Sequence, residues 1–217
     1  MFNMEKIVII GAGGFGREVK MLIDQINSKE ALYDFVGYYD DGFTTGTIIN
    51  FDKVLGSIDD LAKSKEQLSI VVAIGVPDIK RKIIEKLTGL NFSFPTIIHP
   101  SVIIGNELVT IGKGCIICAG TIITCNIEIN DFVILNLMCT VGHNTQIHSY
   151  SSFMPSVNIS GEVIIHEGVY VGTGAKIINQ LEIGKQTIVG AGAVVSKSLP
   201  EKCTAVGIPA KPIKFHD

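Results

Sequence analysis

Two places in this chain of 217 residues combine residue types and spacing that can do chemistry. The first is Gly11-Ala12-Gly13-Gly14-Phe15-Gly16, where Gly11, Gly13 and Gly16 satisfy G-x-G-x-x-G. Such glycines permit a tight turn, and the helix N-terminus behind them offers unpaired N–H groups to an anion. Asp40 and Asp41 follow the last glycine by about 24 residues, a spacing at which acids take ribose or sugar hydroxyls. The second place is His143. A neutral imidazole with an ordinary pKa of about 6.5 is matched to remove a proton from an amine or hydroxyl near neutral pH.

The elements that position the glycine run are alternating. Lys6 to Ile10 is a strand-sized apolar run, and a helix-compatible stretch from Arg17 to Ile26 follows the glycines. Phe35 to Tyr39 and Ile70 to Ile74 read as further strands and Ile79 to Leu87 as a further helix, while Asp59, Asp60, Lys63 and Lys65 mark a solvated surface helix. Three such units make an α/β Rossmann-like half domain over residues 1–92. That is enough for one nucleotide and too short for a six-strand dinucleotide site, so an NAD enzyme is not expected.

His143 sits in a different pattern. Bulky apolar residues recur every six positions from Ile111 through Ile117, Val141, Phe153 and Val171 to Val195, a hexapeptide repeat. Small residues such as Cys115, Thr121 and Ala175 fall four positions after the bulky ones, and glycine often stands directly after them (Gly112, Gly142, Gly172), which suits a bend between flat sides. Three hexapeptides make one triangular coil of a parallel β-helix. Ile98 and Ile104 extend the pattern backwards with one extra residue before Ile111, giving a helix over about 98–200 and between about five and six coils. His143 stands two residues after inward Val141, so its ring points outward at a corner. Residues 18 apart stack on successive coils roughly 4.8 Å apart, which puts Gly161 under His143 and Glu162 under Asn144. A glycine there leaves room for a thin chain to approach the backbone. His99, His148 and His166 follow inward positions by one residue and point harmlessly to solvent, and His216 lies in the tail.

Composition narrows the field. With 47% hydrophobic and 18% charged residues the chain can bury a core, and 18 basic against 21 acidic residues give a net charge of −3 with no basic run, which excludes a nucleic-acid partner. No cationic N-terminal region precedes a long apolar stretch, so a cytoplasmic protein without membrane attachment is expected. Five cysteines, an odd number, fit reduced thiols, and the lone Cys115/Cys118 pair fills repeat positions, so no metal is expected. None of the thiols stands beside a base in the repeat, which disfavours a covalent acyl intermediate.

The glycine loop GAGGFG, the third strand ending in Ala73-Ile74-Gly75, the hexapeptide repeat and the closing Gly207-Ile208-Pro209-Ala210-Lys211-Pro212 together resemble the NeuD/PglD-like sugar acetyltransferases over essentially the whole chain. The resemblance implies a left-handed β-helix over 93–217 and a homotrimer. It also implies acetyl-CoA in the groove between subunits and a nucleotide-sugar or sugar acceptor at the N-terminal domain. It places the family's catalytic histidine on His143, CoA contacts on Ser152, Gly161, Thr173 and Ala191, and the acceptor loop on Gly13, Gly14 and Phe15, with Asp40 and Asp41 behind it and Asn136 beside the cleft. Where the family has an acid after its histidine, this chain has Asn144, and Glu162 is the candidate to assist in its place. The expected activity is acetyl transfer to an amino group of a nucleotide-linked amino sugar. O-acetylation of a sialic-acid-like sugar is the alternative within the fold, and a non-catalytic nucleotide-binding scaffold the alternative outside it.

Overall fold

The computed structural model describes residues 4–216; residues 1–3 and 217, the outer ends of the two expected domains, lie outside the described residues. The N-terminal part runs β1 (Glu5–Ile10), α1 (Gly14–Asn27), β2 (Tyr33–Tyr39), β3 (Ile48–Ile49), β4 (Asp52–Gly56), α2 (Ile58–Ala62), β5 (Leu68–Val72), α3 (Pro77–Leu87) and β6 (Phe92–Ser93). The sheet order is β3-β4-β2-β1-β5-β6, parallel apart from the β3-β4 hairpin. Ile7, Val8 and Ile9 are fully buried in its centre. Their continuous apolar run follows from helices covering both faces of a parallel sheet. Val19, Leu22 and Ile23 of α1 turn inward at helical spacing, each side chain contributing about 1.5–3 kcal/mol by burial.

The rest is a left-handed parallel β-helix with three faces. On the first, seven parallel strands from Ile97–Ile98 to Cys203–Val206 stack in succession, so the chain makes six circuits, and Lys211–Phe215 folds back antiparallel onto the last. The middle face runs from Ile103–Ile104 through Thr140–Val141 to Val194–Val195, and the third from Val109–Ile111 to Glu182–Ile183. The extra residue shows in the register. Ile98 pairs with Ile117, 19 residues on, whereas Ile117 pairs with Leu135, 18 on. The last circuit is shortened, Val189 pairing with Ala205, 16 on, so the coil continues past residue 200.

The corner glycines have a different reason from the one expected. Gly142, Gly172 and Gly184 do not have positive φ; a Cβ on them would lie within 2.6 Å of the next coil's backbone. They permit close stacking of coils. The bend itself falls two residues later, at positions such as Asn126, Phe132, Met138, Asn144 and Glu162, all with φ between 54° and 60°. That left-handed conformation suits Asn and is unusual for Phe and Met, so the rigid stack of coils imposes it here.

The N-terminal domain sits on the first face: Ile97, Ile116, Cys118 and Ile134 join the core of β1 and α1. Lys80 of α3 is buried in this junction, donating to Ser152 Oγ at 2.9 Å and Ser151 O at 3.4 Å. Burial lowers its pKa from 10.5 to about 7. A depressed folded pKa means that the unfolded chain binds more protons between about pH 7 and 10, so stability is fully present above the unfolded value and falls as pH drops through the folded one. In calorimetry, the stability of the wild type relative to Lys80→Met should therefore rise by on the order of 2 kcal/mol from pH 7 to pH 9. Losing the serine bonds costs the variant equally at every pH, so parallel curves would refute the assignment.

Candidate active site

The edge between the first and middle faces, the near edge, carries Asn136, Thr173 and Ala191; the edge between the middle and third faces, the far edge, carries His143, Asn144, Gly161 and Glu162. Helix α1, which the glycine loop opens, meets the near edge. Glu18, Met21 and Gln25 of α1 line a small cleft there with Cys118, Ala119 and Leu137, and Gly75 after β5 lies against Met154.

Within the loop, Gly16 cannot carry a side chain, since a Cβ would fall 1.8 Å from Gly11 O, and Gly11 has φ 101°. Gly13 and Gly14 are exposed with open space around them, and no side chain caps α1. First-turn N–H groups left without a side-chain acceptor are what an anion at a helix N-terminus uses. Asp40 is committed to the loop: its carboxylate accepts from Ala12 N at 2.7 Å and Gly42 N at 2.7 Å. Asp41 accepts from Ile58 N at 2.8 Å, capping α2. Phe15 is half-buried against the domain core, and Asn136 is only 5% exposed, its carbonyl accepting from Leu137 N.

His143 is exposed at its corner. Its Nδ1 lies 3.1 Å from Asn144 Oδ1. An amide oxygen only accepts, so Nδ1 carries the proton and the Nε2 lone pair is free. Nε2 lies over Gly161, whose buried Cα the ring covers. The space expected for a thin ligand chain is thus filled by the imidazole itself.

Three further expectations need correction. Ser152 is fully buried and bonded to Lys80, so it cannot touch a ligand at the surface. Glu162 does not reach the imidazole: it stacks in the column of Asn144 and Gln180, not that of His143, and its carboxylate accepts from Gln180 Nε2 at 2.9 Å while its backbone N–H donates to His143 O at 2.7 Å. Cys125 does stand one coil before His143, but its thiol makes no hydrogen bond to the ring among the described residues, and its carbonyl accepts from Asn144 N at 3.1 Å. Burial pushes the thiols of Cys115 and Cys139 up to about 11 and that of Cys118 to about 12, which makes them inert. No group of three or more metal-ligating side chains occurs among the described residues.

The other histidines are more engaged than expected. His99 bridges Gln25 and Ser101, and burial lowers its pKa. His166 stacks on His148 at 5.6 Å and lies 3.3 Å from Glu182.

Comparison with known proteins adds to this geometry. The sequence profile of the PglD N-terminal domain matches residues 6–87. GDP-perosamine N-acetyltransferase of Escherichia coli O157:H7 is 32% identical over 212 residues, 95% of each chain. The chain belongs to the NeuD/PglD-like family of sugar acetyltransferases. Its fold matches the acetyltransferase domain of PglB from Neisseria gonorrhoeae, solved in complex with acetyl coenzyme A, with TM-score 0.87 and 32% identity over 97% of this chain and 100% of that one. It also matches PerB from Caulobacter crescentus, solved in complex with CoA and GDP-perosamine, with TM-score 0.84 and 28% identity over 99% of both chains.

Proposed function

We propose that this family member transfers acetyl from acetyl-CoA to the amino group of a nucleotide-linked amino sugar, directly and with His143 as general base. The observation that carries the reading is the 3.1 Å contact between His143 Nδ1 and Asn144 Oδ1: an amide oxygen there takes the Nδ1 proton and leaves Nε2, on the outer edge of the coil, as the base. Nε2 accepts the proton that the sugar amine loses as its nitrogen bonds to the acetyl carbon, and returns it to the CoA sulfur as the C–S bond breaks. The relatives named above, an N-acetyltransferase and a protein crystallised with a GDP-linked amino sugar, support an amine acceptor.

The near edge suits the donor. Thr173 and Ala191 are small and exposed, and nothing stands within 4 Å of where a Cβ on Gly174 or Gly192 would be. That smooth strip would admit a pantetheine chain. The glycine loop would hold the acceptor's phosphates on Gly13 and Gly14.

Loop, strip and base do not meet within one chain. A flat side of about five residues, on the order of 16 Å, separates the near edge from the far edge. The reading therefore includes a homotrimer in which His143 of one subunit serves the loop and strip of a neighbour. Exposed Ile103, Leu108, Ile122 and Met138 on and beside the middle face supply apolar surface for that association; Leu108 is 80% exposed. The deciding experiment offers acetyl-CoA with a panel of GDP-, UDP- and dTDP-linked 4-amino sugars and sialic acids, and follows thiol release. Turnover confined to sialic acids would replace amine by hydroxyl transfer, and none with any sugar would leave a scaffold.

A further inference from the structure

Every other hexapeptide from Lys113 to Ala191 has a side chain where Gly161 stands, two residues after the inward bulky position. The column itself reads Cys125, His143, Gly161, Asn179, so the coil does not require glycine at this place. Its backbone does not require one either, because Gly161 has no positive φ. Gly142 makes the contrast: a Cβ there would meet the next coil's backbone, Gly161 N and Ser160 C, at 2.6 Å. At Gly161 the three nearest atoms all belong to one side chain. A Cβ would lie 2.5 Å from Nε2, 2.6 Å from Cε1 and 2.9 Å from Cδ2 of His143.

We propose that Gly161 is a positioning residue for His143, its missing side chain being the seat on which the imidazole rests. The inference builds on the reading of His143 as the base. Carbon atoms pack at roughly 3.5 Å or more, so an alanine at 161 would drive the ring back by about 1 Å. Asn144 Oδ1 holds the proximal end of the ring and the Gly161 Cα supports its distal end. The two contacts together fix where Nε2 points. Tilting the ring off Gly161 loosens the Nδ1 bond and moves the base nitrogen, and a displacement of that size costs about 10²-fold in a proton-transfer step that depends on alignment.

The test is a cycle of Gly161→Ala, His143→Ala and the double variant. Gly161→Ala should lower kcat by about 10²-fold while KM for acetyl-CoA and for the acceptor stays within about twofold. Added to His143→Ala it should do nothing further, because a residue that acts only through the ring has no effect once the ring is gone. A raised KM for acetyl-CoA with kcat retained would overturn the inference in favour of a direct donor contact, and so would a loss that multiplies in the double variant. If Gly161→Ala fails to fold, a folded double variant upholds the inference, since only the ring then stood in the way. An unfolded one overturns it. A crippled His143→Ala beside a silent Gly161→Ala sinks this inference alone; a silent His143→Ala sinks the base reading and this inference with it.

Discussion

His143→Ala should lower kcat by on the order of 10²–10⁴, the usual worth of a positioned general base, with the fold and the assembly intact. The ring lies on the surface and fills no core position, so its removal opens no cavity. The comparison that gives the number meaning is His166→Ala. That ring is bound to Glu182 and stacked on His148 at the edge away from both halves of the site, and its loss should leave kcat within about twofold. Glu162→Gln should be equally mild, because the Glu162 carboxylate serves Gln180 in the next coil. A steady-state rate for His143→Ala within tenfold of wild type would remove this residue from proton transfer.

The β-helix was legible because its signal is long-range order of one kind. An apolar residue every six positions from Ile111 to Val195 leaves no other way to bury those side chains, and each of the named inward residues Ile117, Val141, Phe153 and Val171 is fully buried. The glycine loop was legible for a local reason, since Gly11 and Gly16 are forced by φ and by close approach. The β3-β4 hairpin carries no comparable signal: its strands are short, Phe51 at the turn is 98% exposed, and no period runs through them. Ser152 is illegible for another reason. On the repeat alone it is an outward residue, and only the docking of α3 buries it.

Glu162 shows the limit of counting in eighteens. The count stacked it correctly under Asn144, but the left-handed backbone shared by Asn144 and Glu162 starts both side chains along one column, beside that of the imidazole. Gly161 shows the reverse failure. Its singularity is visible in the sequence, yet the sequence cannot say whether the space belongs to a ligand or to the neighbouring ring.

The separation of the two edges leads to the most decisive expectation, that two dead variants restore activity when mixed. One is His143→Ala, which keeps an intact loop. The other is Gly14→Asp, which keeps the base. Position 14 is open, with only Arg17 within 4 Å of an added Cβ, and a carboxylate in the first turn favours the helix while repelling the acceptor's phosphates. Each should show under about 1% of wild-type kcat/KM alone. Co-refolded in equal amounts, subunits assort at random. A site that takes its base from one subunit and its loop from the next is then intact wherever a Gly14→Asp subunit precedes a His143→Ala subunit in the ring. That occurs at about one interface in four, so the mixture should recover about a quarter of wild-type activity. If base and loop served the same site within one chain, every subunit would remain defective in one of them. The mixture would then stay as inactive as its parts, and native mass spectrometry on the same sample, which separates mixed trimers by the different masses of the two variants, would tell whether the subunits had mixed.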